Sequence, residues 1–437
     1  MSLDMTPAIR SVVRAFACVV VLPIASSAMA EWPAPRRIDP DRLAAAGLRV
    51  IEADHATLVT DVPTSEAVDR LPQLVDLGLP QWAKRFSQDP AGLKTWRLRV
   101  YLIEDESRFR SLGLWPDQSP DFLHGLSLGY EVWLRQQKTD YYRRHLLLHE
   151  ATHSFMSTRL GSCGPGWFME GTAELCGTHA WDGRALRLAA MPSSRDAVSD
   201  WGRIRLVRES VEAGRLLSVQ AVRKIDNRVV LPTESYAWVW SLCHFLDNHP
   251  AYRDRFRKAS DWVTSAAFDR RLTRTLAKDR RRLDQEWRLF ASTLVYGHDL
   301  EREAIEFRDG SPLDTGERRT ARIQADRGWQ STAIRVEAGR TYRITAEGRF
   351  VVGQEPDGTP WPCEADGITL EYHAGRPMGR LLATVDSGPG AFVDSIAIGL
   401  GSAYRPPASG TLYLRINDSP GLLADNSGEL MVTVAVD

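Results

Sequence analysis

The chain has no surplus of either charge. Its 437 residues carry 55 lysines and arginines against 56 aspartates and glutamates, for a formal net charge of -1. That balance gives no electrostatic reason to expect nucleic acid or an anionic membrane as a partner. Cysteine is scarce, five residues in all, and none stand in the close pairs that a structural zinc site uses. There is no low-complexity tract and no clear repeat. Beyond the first thirty residues, no apolar run is long enough to cross a membrane. What the chain does have is 43% hydrophobic residues, ample for a sizeable core, at a length that suggests two or three domains.

The N-terminus reads differently. Arg10 and Arg14 precede AFACVVVLPIASSAMA, an apolar run ending in small residues, and Ala28-Met29-Ala30 fits signal-peptidase cleavage before Glu31. The run is too short for an anchor, and the part before Cys18 is too short for a lipoprotein signal. The expectation is a signal peptide over 1–30 and an exported protein, periplasmic or extracellular, with no transmembrane segment after signal removal. Cys163, Cys176, Cys243 and Cys363 then remain. Export permits disulfides; spacing does not fix their pairing, and Cys163 with Cys176, flanking one short segment, are the nearest candidates.

Pattern divides the rest. Residues 31–48 are an unsettled leader. From 49 to 135, apolar runs such as LRVYLIED alternate with a helical stretch over 67–86, and 123–135 supplies a further strand, which predicts a small mixed α/β lobe. From 139 to 300 the texture is helical, over 140–160, 168–180, 204–224, 233–247 and 268–293. Residues 301–329 are polar and turn-rich, a plausible connection. From 330 to 437, short β-like runs separated by glycine and proline predict a β-sandwich.

The segment LHEATHSFMSTRLGSCGPGWFMEGTAELCG, residues 148–177, carries the chemistry. Thr139 or Asp140 can cap a helix on which His149 and His153, four apart, share one face. Two imidazoles so placed suit zinc, and Glu150 stands where it can take a proton from water beside the metal. A turn-forming GSCGPG then allows a second helix to return antiparallel, with Glu170 as the natural third ligand. Glu174, one turn on, can accept from the far ring nitrogen of a ligand histidine, as an outer carboxylate does. The reverse assignment, Glu174 on the metal, stays open, as does the plainer reading of two ordinary helices. Gly171 would let the backbone approach the motif helix closely.

These two elements resemble the gluzincin class of metallopeptidases, and most closely the bacterial peptidase MA-like group, in which HExxH is followed by Trp-x-x-Glu-Gly-x-Ala-Glu. Residues 167–174, WFMEGTAE, match at every fixed position. The likeness spans roughly residues 50–300 and is diffuse outside the motifs. It implies Glu170 as third zinc ligand. It further implies that Tyr236, opening YAWVWSLCHFL at 236–246, donates to the oxyanion, with His244 a fallback donor. Glu150 would then act as general base and acid around a zinc-activated water. A protein or peptide is the implied substrate. The Gly-x-Met-Glu-Asn segment of gluzincin aminopeptidases has no equivalent before residue 149, which lowers the exopeptidase reading. Residues 127–135 could pair with an extended substrate.

The last hundred residues carry a second resemblance, to the bacterial calcium-dependent galactose-binding lectin fold, best over LYLRINDSPGLLADNSGELMVTV at 412–434. It implies calcium held by Asp418, the carbonyl of Leu422, Asp425 and Asn426, completed by the carbonyl of Val352, where an ordinary Asx-rich turn is the alternative. The lectin's galactose-contacting histidine and glutamine are replaced, by Cys363 and Asp366 on approximate matching.

The fold class expected is therefore α+β, a gluzincin or thermolysin-like metallopeptidase domain over 31–300 followed by a galactose-binding-lectin-like β-sandwich over 330–437. The expected function is an exported zinc metallopeptidase whose C-terminal part binds calcium or carbohydrate. Two alternatives remain open: an envelope or glycan-binding protein on an idle gluzincin-like scaffold, and a zinc amidase acting on cell-wall material.

Overall fold

The computed structural model describes residues 32–116, 122–226 and 231–436. The signal-like segment, with Cys18 and Ala28-Met29-Ala30, lies outside the described residues. The fold is mixed α/β with several sheets. A five-stranded sheet runs β1 (Arg49–Glu52), β2 (Ala56–Thr60), β3 (Leu98–Ile103), β5 (Glu131–Arg135), β4 (Gly125–Leu128), so that β4 stands at an edge. β2, β3 and β5 are parallel, while β1 and β4 are antiparallel to their neighbours. Side chains alternate between the two faces of this sheet. Leu58, Val100, Leu102, Val132 and Leu134 join the main core, and Val59, Tyr101, Ile103, Leu126 and Trp133 join a smaller one behind. That period of two is the physical signature of strands buried on both faces.

The stretch over 123–135, expected as one strand, is a hairpin, and the two residues of its turn include Gly129 at φ +60°. The distinction matters for pairing: of the two hairpin strands, β5 is interior and β4 is at the edge.

The main core joins the sheet to helices α1 (Leu71–Arg85), α2 (Asp140–Phe155), α3 (Gly166–Gly177), α4 (Arg203–Glu212), α5 (Thr233–Asn248) and α6 (Arg280–Thr293). Thr139 caps α2 by accepting from the Tyr142 amide. The helix expected over 204–224 ends at Glu212. Gly214 takes φ +74°, and Ser218 caps a separate turn over Val219–Val222. The one expected over 268–293 breaks into Phe268–Leu276 and α6 at a 3-10 turn. Among the described residues, no helix is long and apolar enough to cross a membrane.

C-terminally, two sheets face one another across a shared apolar cluster that includes Ile344, Val352 and Val432 from one and Leu381, Leu414 and Ile334 from the other. Arg318–Gln324, inside the segment expected as a connection, pairs with Asn426–Val436 along its length and belongs to the first sheet. Its alternation of exposed and half-buried polar side chains concealed it. The sheets are fastened to the helical part. Glu303 and Arg415 form a buried ion pair at 2.8 Å, the Asp299 amide donates to the Pro420 carbonyl at 2.9 Å, and Leu289 of α6 packs with Trp329, Phe392 and Tyr413.

Candidate metal centre

α2 and α3 pack together around the motif residues. Four residues apart on α2, His149 and His153 turn their Nε2 atoms toward each other at 3.1 Å, the rings nearly perpendicular. Glu170 of α3 brings Oε2 to 3.4 Å from the first and 3.5 Å from the second. All three side chains are buried, and neither Glu170 oxygen reaches hydrogen-bond geometry. Ligand atoms around a tetrahedral zinc ion stand about 3.3 Å apart, so this triangle has the size of three corners of such a site. It is one of two buried His/Glu groups able to hold a metal ion among the described residues.

The other group, His145, His149 and Glu174, shares one histidine with it. Glu174 lies 3.5 Å from Nδ1 of His149 and, through its second oxygen, 3.5 Å from His145. Both its oxygens also accept from Arg203 of α4, at 2.9 and 3.0 Å. A guanidinium so placed occupies the carboxylate and repels a cation, and it fixes Glu174 behind His149. Burial alone would raise the Glu174 carboxyl; Arg203 and His145 together outweigh it and hold the group well below the usual range. Burial keeps His145 neutral by lowering its pKa.

Glu150 is fully buried, and neither oxygen has a hydrogen-bond partner. Burial pushes its carboxyl up to about 8, with the Glu170 and Glu174 charges adding to the rise and His153 opposing it. The edge strand crosses directly over it: a Cβ on Gly125 would stand 2.5 Å from Glu150 Oε1. Gly171 serves a different neighbour from the one expected. A Cβ there would meet Cys243 and the Val239 carbonyl of α5 at 2.5 and 2.7 Å, so the glycine sets the α3–α5 crossing rather than the approach to α2.

Tyr236, in the first turns of α5, is buried and lines a small cleft with His124, Tyr142, His149 and Arg203. The guanidinium carbon of Arg203 lies 5.9 Å from its ring centre. His244, two turns further on, is stacked on Trp240 and packed near Phe290, with burial lowering its pKa to about 4. It is a core histidine and does not line the cleft. Sequence reading missed Arg203 and His145. His145 had a signal, one further step of four on the face of His149, whereas Arg203 stands 29 residues beyond Glu174 with no local cue.

The chain matches no family model and no curated protein. Among solved structures it is similar to the EclA N-terminal domain, a PllA-like lectin, at 23% identity and a TM-score of 0.22, covering 27% of this chain and 95% of that one. It is also similar to the IMPa metallopeptidase from Pseudomonas aeruginosa, at 11% identity and a TM-score of 0.16, covering 80% of this chain and 38% of that one. At these scores neither likeness specifies a fold or an activity.

The cysteine pairing is corrected: Cys163, Cys176, Cys243 and Cys363 are all free and buried. The Cys163 thiol donates to the His153 carbonyl at 3.6 Å, a local contact that keeps it from Cys176 at the far end of α3. In the C-terminal sheets, Val352 pairs with Asn426 across the ladder, and the Asn426 amide donates to Asp418 at 2.8 Å. The Asn426 carbonyl oxygen is buried without a partner, and burial raises the Asp418 carboxyl to about 6. Those two facts suit a hard cation. The Leu422 carbonyl instead accepts from the Asp425 amide at 3.3 Å, and Asp425 is more open to solvent than Asp418. Asp366 accepts from the Leu400 amide, and Cys363 packs beneath Gly379.

Proposed function

We propose that the chain is a zinc-dependent metallopeptidase of the gluzincin type. The observation that carries this is the triangle of His149, His153 and Glu170, with the unpartnered Glu150 carboxylate one residue along α2. Two imidazoles and one carboxylate are a donor set suited to zinc, and they leave room for a further ligand. Zinc bound there would supply Lewis acidity toward a carbonyl oxygen and acidify water.

The chain's own groups supply the rest. Glu150 accepts a proton at a carboxylate oxygen and returns it to the departing amine; its burial suits a group that must be basic and then acidic near neutral pH. Glu174, fixed by Arg203, holds His149 in the tautomer that leaves Nε2 free for the metal. Tyr236, in the cleft beside His149, is the donor for negative charge developing on the carbonyl oxygen. The outward flank of β4 offers backbone groups to an extended peptide. In this reading the protein is exported by the signal at 1–30, and the C-terminal sheets are an accessory part with a cation site at Asp418 and Asn426 that favours carbohydrate.

Metal content of the purified chain tests the proposal, alongside Glu170→Ala and with fluorescein-labelled casein as substrate. The expected result is about one zinc per chain, almost none in the variant, and casein hydrolysis that chelation abolishes and zinc restores. Equal zinc in both proteins would move the third ligand to Glu174. A chain that takes up no zinc on reconstitution would leave a binding protein on an idle scaffold.

A further inference from the structure

Ser127 occupies the centre of β4. It stands opposite Val132 in the hairpin, and Val132 and Leu134 both point into the core that contains α2. Leu126, one residue away, points into the core on the other face. By the alternation of strands, Gly125 and Ser127 therefore present their side-chain positions to α2. Gly125 lies against the Glu150 carboxylate, and Gly129, past the end of the strand, accepts from the Ser154 hydroxyl one turn beyond Glu150. Ser127 sits between them.

Its hydroxyl is anomalous for that position. Ser127 is 6% exposed, and Oγ has no hydrogen-bond partner. Buried hydroxyls are almost always satisfied, since an unmet one is costly. The Glu150 carboxylate, which lies against Gly125 two residues away on the same face of β4, is also buried and unmet. Successive side chains on one strand face are roughly 6–7 Å apart, a span that a serine and the flexible end of a glutamate can close by rotation or through one water.

We infer that Ser127 is a positioning residue for Glu150, its hydroxyl donating to one oxygen of the carboxylate. The inference rests on the peptidase reading above. A donor at this point fixes which oxygen of Glu150 faces the metal side and which faces the strand. It explains a polar side chain on the one residue of this strand face that stands between two glycines, Gly125 and Gly129, in contact with α2.

The test is Ser127→Ala in the full chain, with Ser127→Thr as the variant that keeps a hydroxyl. Initial rates on fluorescein-labelled casein, zinc content and the thermal midpoint of the metal-free protein are measured together. Loss of one hydrogen bond to a charged group predicts a fall in kcat of about 10- to 100-fold for the alanine variant. KM, zinc content and the metal-free midpoint are expected to stay at parental values, with at least partial recovery of kcat in the threonine variant. A kcat equal to the parent's overturns the inference and leaves the peptidase reading intact. A lower midpoint in parallel with lower kcat also overturns it, by making the hydroxyl structural. A parent that holds zinc yet cleaves no casein removes both readings together.

Discussion

Arg203 and Glu174 meet through two parallel hydrogen bonds, Nε to Oε2 at 3.0 Å and Nη2 to Oε1 at 2.9 Å, with both side chains buried. The pair stands directly behind His149, so it belongs to the candidate centre as much as to the core. Arg203→Met removes the cation and leaves a buried carboxylate unpaired. Such a loss costs about 3–5 kcal/mol, and disturbing the partner of a ligand histidine weakens metal binding about 10- to 100-fold. Denaturant unfolding and competition with a chromophoric zinc chelator read the two effects separately. Full zinc affinity in a destabilised variant would confine Arg203 to a structural role.

Glu150 should separate metal binding from turnover. Glu150→Gln keeps shape and burial but cannot accept a proton, and it touches none of the three proposed ligand atoms. Zinc content is expected to match the parent while casein hydrolysis falls by about 10²- to 10⁴-fold, the usual contribution of general acid–base catalysis. Because burial disfavours a charged group there, a neutral glutamine of the same shape should leave the metal-free state at least as stable. A variant with undiminished activity would remove Glu150 from the reaction.

Gly125→Ala tests how closely β4 must approach α2. Its Cβ would stand 2.5 Å from Glu150 Oε1 and 2.9 Å from the carboxyl carbon, so the glutamate tip must move. A displacement of about 1 Å at a reacting group costs on the order of 10²-fold in rate. Zinc content should not change. A variant as active as the parent would mean that the glutamate acts from another position.

Asp418 makes an unusual prediction about pH. Burial raises its carboxyl to about 6, above the 3.8 of an exposed aspartate. The folded state therefore binds this proton more tightly than the unfolded one, and the associated stability is fully present below about pH 4 and lost as pH rises through 6. For this group, acidification from pH 7 to pH 5 stabilises, the reverse of most carboxylates, by on the order of 1 kcal/mol. Asp418→Asn should flatten that portion of the stability profile. Calcium added at pH 7 should raise the thermal midpoint of the parent but not of the variant; no shift in either would mean that the site takes no cation.

The motif residues were legible because their chemistry is periodic. Histidines at a spacing of four share a helix face whatever surrounds them, and the glutamates at 170 and 174 repeat the same step on α3. The strands near the site were legible from alternation, although the hairpin at 125–135 was read as one strand because Gly129 and Tyr130 form a turn of only two residues. The break after Glu212 was signalled by Gly214 and Ser218, yet apolar residues continuing at helical spacing masked it. Arg318–Gln324 was hidden for the opposite reason, since a strand with one solvent-facing side and many arginines looks like a linker. Arg203, the free thiols and the unmet Ser127 hydroxyl depend on contacts between distant segments, which spacing does not encode.

The attachment of the C-terminal sheets has a consequence for reach. Glu303 with Arg415 and Asp299 with Pro420 leave no slack segment between the two halves. A flexible tether lets a bound enzyme sweep a sphere of substrate at a concentration set by tether length. On the proposed reading, the cleft would instead be held at one distance and one angle from any surface that the sheets bound. Bonds lying in that narrow zone would be cut, and chemically identical bonds a few nanometres away would be spared.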